Sequence, residues 1–156
     1  MRILGPIVGP QIAIVFFHKA HRSEGGRTTK VHAVTDAAGR PLAFTLTPGQ
    51  AHDLVAAAAL LRSIPTPRRL IADRAYDAGK FRNWLAARGC EAVIPPNPTR
   101  KRPASYASIA YRRRNLIERM FCRLKDFRRI ATRYDKRADT FLAAVLIAAT
   151  LIWWLN

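Results

Sequence analysis

An α/β fold that opens with an antiparallel pair and continues with parallel strands is what this sequence predicts. Three observations carry it. The stretch TTKVHAVT at 28–35 alternates with strand periodicity and is followed by a turn and a second apolar run, which reads as a hairpin. Beyond it, short apolar runs alternate with helical segments. The last third carries apolar residues at helical spacing. With 156 residues and 49% hydrophobic content, there is enough chain for one domain with its own core.

Taken in order, 28–35 is a strand, Asp36 to Gly39 a turn, and 41–47 the returning strand, stopped by Pro48-Gly49-Gln50. Residues 53–62, rich in alanine and leucine, form a helix with His52 or Asp53 at its start, closed by Pro65 and Pro67. The run at 70–72 is a short strand entering Asp73. A helix over about 78–88 ends at Gly89, and 92–94 is the next strand. PPNPTRKRP, 95–103, is a basic loop with too much proline for helix or sheet interior, either a flexible DNA-contacting element or merely a connector. A long helix begins near Ile109, and Ile117, Met120, Phe121, Leu124, Phe127 and Ala131 form its apolar stripe. Residues 141–155, with Thr150 as the one polar member, are shorter than the roughly 20 a membrane span needs and read as a buried terminal helix. Gly-Pro breaks at 5–6 and 9–10 argue against a secretory signal, so no membrane and a cytoplasmic, nucleoid-associated location are expected.

Charge narrows the partner. Twenty-seven Lys and Arg face 10 Asp and Glu, giving +17 and a pI near 11.4, the balance of a protein that meets a polyanion. From 111 to 137 there are nine Arg and two Lys against Glu118, Asp126 and Asp135. A stripe that tracks phosphates and a generic basic surface both fit that excess. Cys90 and Cys122 are too few and too far apart for a zinc knuckle or disulfide framework, and His18, His21, His32 and His52 lack metal-site spacing. Trp84, Trp153 and Trp154 lie in apolar helical stretches and read as core or interface aromatics.

The most informative spacing is Tyr-x2-Arg-x3-Glu-x6-Lys, made by Tyr111, Arg114, Glu118 and Lys125. At roughly 100° per residue, Tyr111, Arg114 and Lys125 fall at about +20°, −40° and −20° from Glu118 on a continuous helix. A carboxylate flanked by two cations and a phenol suits a site that holds a divalent metal and grips phosphates. A solvated helix with a Glu118–Arg114 pair is the alternative reading. Asp73, at the carboxyl end of a strand, is either a functional acid or a turn former. Asp77 either assists it or caps the following helix, and Tyr76 packs beneath Asp73 or touches the partner.

The pieces GGRTTKVHAVTDAAGRPLAFTLTPGQAHD, LIADRAYDA, EAVIPP and YRRRNLIERMFCRLKDFRRIATRYDK resemble the catalytic domain of bacterial insertion-sequence transposases of the DDE type carrying the Tyr-Arg-Glu-Lys signature. The resemblance covers roughly 25–156 and sets 1–24 apart as an atypical N-terminal segment. It implies an RNase-H-like mixed sheet flanked by helices, with the first catalytic strand missing or altered. It also implies Mg2+ (or Mn2+) held by acidic residues, with Asp73 as the second acid and Glu118 as the third. Tyr111, Arg114 and Lys125 would contact DNA at the insertion-sequence terminal repeats, and the loop residues Arg100, Lys101 and Arg102 are expected to join them.

The sequence departs from the family at the first acid. IAIVFF at 12–17 could fill the first strand but carries no carboxylate, while Asp36 lies in the hairpin turn and Asp53 opens a helix. With two of three acids, the isolated chain is expected to be weak or inactive in cleavage and strand transfer. It would work as a homodimer or with a polypeptide from an upstream, frameshifted reading frame, or be a truncated remnant. A non-catalytic basic DNA-binding module that regulates an intact transposase is the competing function. A membrane-surface role for the basic stripe and the last helix is a third.

Overall fold

A nine-residue strand, β1 (Ile12–Ala20), runs down the middle of a five-stranded sheet. The computed structural model describes residues 12–20 (main chain only from 15), 29–132, 135 and 137–155. The β1 sequence IAIVFFHKA is mostly β-branched and aromatic, a composition that suits a pleated surface between two packed layers. The expected hairpin forms as β2 (Thr29–Thr35) and β3 (Pro41–Pro48). Its turn is closed by the Asp36 carboxylate, which accepts from the amides of Ala38 and Arg40 at 2.9 Å, and by Gly39 at φ 79°. After helix α1 (Asp53–Arg62) come β4 (Arg69–Ala72), helix α2 (Gly79–Ala86) and β5 (Glu91–Val93).

The strand order is β3-β2-β1-β4-β5. β1 is antiparallel to β2 and parallel to β4, which is parallel to β5. The antiparallel start and parallel continuation expected from the sequence are thus observed, with β1 joining the two halves. Residues 12–20, within the segment that the resemblance sets apart, supply this central strand.

Helices cover both faces. Leu60 and Leu61 of α1 and Phe81 and Leu85 of α2 pack on Ala13, Val34, Leu70 and Ala72. On the other face, α4 (Asn115–Lys125) and α6 (Ala138–Trp153) bring Ile117, Met120, Leu124, Phe141 and Val145 against Ile14, Val31, Ala33 and Ile71. The two-residue period of a strand explains the division: Leu70 and Ala72 serve one core and Ile71 the other.

Three expectations change. The long helix from Ile109 is broken into α3 (Ser108–Tyr111), a 3-10 turn at Arg112–Arg114, α4 and α5 (Arg128–Ala131). Phe127 is extended (φ −80°, ψ 104°) and interrupts the helix, so the apolar stripe loses its phase there. Ile117, Met120, Phe121 and Leu124 are buried, Phe127 is 38% exposed, and Ile130 packs on the core in its place. The terminal helix is buried along one stripe only, through Phe141, Val145, Ala148 and Ala149, and exposes Leu146, Ile147 and Leu151, because one sheet face covers one side of a helix. The helix after Asp77 starts at Gly79, and its N-terminal residue Ala78 receives no side-chain cap, so Asp77 is not the cap. Among the described residues, no helix is long and apolar enough to cross a membrane.

Candidate active site

β4 delivers Asp73 to the carboxyl end of the sheet. The residue stays extended (φ −78°, ψ 176°), and its Oδ1 accepts from the Ala75 amide at 2.9 Å, capping a 3-10 turn at Arg74–Tyr76. The turn-forming reading of Asp73 is thus observed, at the end of the strand where the sequence placed it. Burial pushes its carboxyl above the ordinary range. Asp53 and Glu118 push the same way, and the Ala75 amide and the Arg114 guanidinium oppose them. Alongside, β1 sets Ile14 against Ile71 and Val15 against Ala72. No position of β1 is Asp or Glu.

From the other side, α4 brings Glu118, which pairs with Arg114 at 2.9 Å one turn earlier. The Arg114 guanidinium lies 5.8 Å from the centre of the Tyr111 ring, and Tyr106 meets that ring edge-on at 5.7 Å. The 3-10 turn explains the stack. At three residues per turn, Tyr111 and Arg114 are eclipsed, an alignment that a continuous α-helix would only approximate. Burial raises the Tyr111 hydroxyl above its usual range, and Arg114 and Asp73 act on it in opposite senses. Asp73, Tyr111, Arg114 and Glu118 thus lie in one electrostatic neighbourhood.

Lys125 closes α4 and is exposed, as are Lys101 and Arg102 on the loop. Arg100 is instead in an ion pair with Asp77 at 2.9 Å. Among the described residues, no group of three or more His, Cys, Asp or Glu is placed to hold a metal ion.

Sequence reasoning missed Lys30 and His32, which the fold brings to this rim, and left Tyr76 open. Lys30 on β2 pairs with Asp53 at 2.8 Å and donates to the Ala51 carbonyl at 3.0 Å, which holds the start of α1 against the sheet. His32 is fully buried and meets the Thr47 hydroxyl at 2.7 Å, and burial lowers its pKa. Tyr76 is fully buried beneath Asp73 rather than exposed to a partner, and burial pushes its hydroxyl far up. The alternation of β2 could have flagged Lys30 and His32 as facing the α1 side. Their meeting with residues two elements away is a tertiary fact.

The profile described as Transposase DDE domain matches residues 11–153. The chain belongs to the DDE transposase family. It is 40% identical over 127 residues to a putative transposase for insertion sequence element IS6501 from Brucella ovis, covering 81% of this chain and 98% of that protein. It is 35% identical over 137 residues to a putative transposase for insertion sequence element IS402 from Burkholderia cepacia, covering 81% of this chain and 63% of that protein. Among solved structures, the catalytic core domain of BIV integrase superposes at a TM-score of 0.58 with 15% identity, over 95% of this chain and 86% of that one. The HTLV-2 integrase catalytic core domain in complex with magnesium gives 0.59 with 11% identity, over 96% of this chain and 90% of that one. A chain of the simian T-cell lymphotropic virus intasome in complex with PP2A regulatory subunit B56 gamma gives 0.64 with 15% identity, over 99% of this chain and 52% of that one. At these identities the likeness establishes the fold, which is RNase-H-like. The sequence resemblance and the fold thus agree on a transposase catalytic domain, and the basic, non-catalytic module is not favoured.

Proposed function

We propose that this chain acts in phosphodiester cleavage and strand transfer at insertion-sequence ends, with Asp73 and Glu118 as its acidic residues and Tyr111, Arg114 and Lys125 contacting DNA. The observation that carries the reading is a strand-end carboxylate within the electrostatic reach of a helical carboxylate and of the arginine that stacks on a tyrosine beside it. The donor chemistry fits a hard divalent cation. Asp73 and Glu118 offer carboxylate oxygens, and Asp73 sits where burial and like charge already penalise its ionised form, a penalty a cation would offset. Mg2+ or Mn2+ held there would polarise the scissile phosphate and make the attacking oxygen more acidic.

The protein's own groups do the rest. Arg114 is restrained between Glu118 and the Tyr111 ring, so it presents a fixed guanidinium to a phosphate oxygen, which it can bind through two N–H groups. Lys125 at the end of α4 supplies a second, unrestrained positive charge for the backbone. The strand beside Asp73 is apolar at Ile14 and Val15, so two acids serve where three would share the charge. Activity of the isolated chain is accordingly low, and because a second copy carries the same acid-free β1, a third acid would come from a different polypeptide.

The test is nicking of a duplex carrying the element's terminal repeats with Mg2+ or Mn2+ present. Weak, metal-dependent nicking that disappears in Asp73→Ala and Glu118→Gln is expected. Equal nicking by the doubly substituted chain would overturn the assignment. Metal-independent binding without nicking, unchanged by Glu118→Gln, would leave a DNA-binding module.

A further inference from the structure

The carboxylate of Asp77 is inaccessible to solvent and has three donors around it. Arg82 Nε lies 2.7 Å from Oδ1, while the Asn97 amide at 2.7 Å and Arg100 Nε at 2.9 Å meet Oδ2. Arg100 also reaches the Asp77 carbonyl at 3.4 Å, and Arg82 donates to the Ile94 carbonyl at 2.7 Å. Although burial works against it, the Asn97 amide and the two arginines hold the Asp77 carboxyl below the ordinary range. The loop after β5 is therefore wrapped around one charge that lies four residues beyond Asp73. Its far end is fixed as well, where Tyr106 packs on Tyr111. Between the two anchors, Lys101 and Arg102 are exposed.

Pairing a buried carboxylate gives little net stability, since removing charge from water offsets most of the attraction, but three donors converging on it from α2 and the loop fix where that loop sits. A loop that needed closure alone could be held by apolar contacts. We propose that Asp77 is a positioning residue for DNA: it fixes the 95–103 loop beside Asp73 so that Lys101 and Arg102 meet the phosphate backbone. Arg100, which the sequence groups with them, serves as the tether. This rests on the DNA-end reading above and deepens it, by separating the cation that holds the loop from the cations that touch DNA.

The experiment is a double-mutant cycle read in salt dependence. Binding of a short DNA duplex of arbitrary sequence is titrated at several salt concentrations for wild type, Lys101→Ala/Arg102→Ala, Asp77→Asn and the combination. Two lost phosphate contacts should reduce the slope of log K against log salt by about 1.8 in wild type. In the Asp77→Asn background the same pair should reduce it by less than half as much. Any new contact made by the released Arg100 is common to both Asp77→Asn proteins and cancels. Amide exchange at Asn97 and Arg100 should speed up in Asp77→Asn with β4 still protected.

An equal slope loss in both backgrounds would make Asp77 merely structural and overturn the proposal. A wild-type slope indifferent to Lys101 and Arg102 would overturn it too, and would remove the loop from the DNA-contacting set while leaving Asp73 and Glu118 to the nicking assay. Should Asp77→Asn fail to fold, Arg100→Gln provides the same cycle, because Asp77 then keeps Arg82 and the Asn97 amide.

Discussion

Ile117 and Glu118 are neighbours in sequence, and the structure predicts opposite consequences for changing them. Glu118 makes one described ion pair, with Arg114 at 2.9 Å, and its side chain is 45% exposed. An i,i+4 pair of that kind contributes about 0.2–0.5 kcal/mol. Glu118→Gln should therefore lower unfolding free energy by no more than about 0.5 kcal/mol, all the more because Arg114 keeps its contact with the Tyr111 ring. Ile117 is fully buried in the α4-side core, and Ile117→Ala should cost about 2–5 kcal/mol. Urea unfolding of both variants measures the two numbers.

Repeating the measurement with Mn2+ separates support from function. A ligand at ten times its dissociation constant stabilises by about 1.4 kcal/mol, an increment that Glu118→Gln should lose and a folded Ile117→Ala should retain in part. A loss above about 1.5 kcal/mol for Glu118→Gln without metal would show that Glu118 holds the fold, well beyond one exposed pair. An undiminished Mn2+ increment in Glu118→Gln would remove it from the metal site.

Asp73→Asn should abolish metal-dependent nicking yet leave the fold more stable at neutral pH. The native carboxyl titrates above its ordinary 3.8, so wild type loses stability relative to Asp73→Asn as pH rises from about that value through the native pKa. Unfolding free energies that stay parallel across that range would contradict the burial argument. Asp77 behaves in the opposite sense. Its native pKa is depressed, so the advantage of wild type over Asp77→Asn should be full above 3.8 and vanish as pH falls through the lower native value, which acid titration of both proteins would follow. Gly39→Ala should cost about 1–2 kcal/mol by thermal or urea unfolding, since Gly39 lies at φ 79° and a Cβ there would come 3.3 Å from Leu116 Cβ; no measurable loss would mean that the turn relaxes freely. Arg114→Gln should reduce the salt slope of DNA binding by about 0.9, the share of one phosphate contact, and an unchanged slope would assign Arg114 to Glu118 alone.

Local pattern carried much of the fold. The alternation at 28–35, the turn at Asp36, helix α1 at Asp53–Arg62 and the strand run entering Asp73 are local, because period and turn chemistry act over a few residues. The Tyr111, Arg114, Glu118 and Lys125 spacing likewise marked the family before any coordinates. Folding in three dimensions settled what depends on distant chain segments. It placed β1 between β2 and β4, so that apolar residues flank the strand leading to Asp73. It broke the long helix at Arg112–Arg114 and at the extended Phe127, which helical periodicity alone does not mark. It also gave Asp77 and Arg100 to each other, across 23 residues of chain. Composition could count those charges, but which of them meet is decided by the sheet that brings α2 and the β5 loop together.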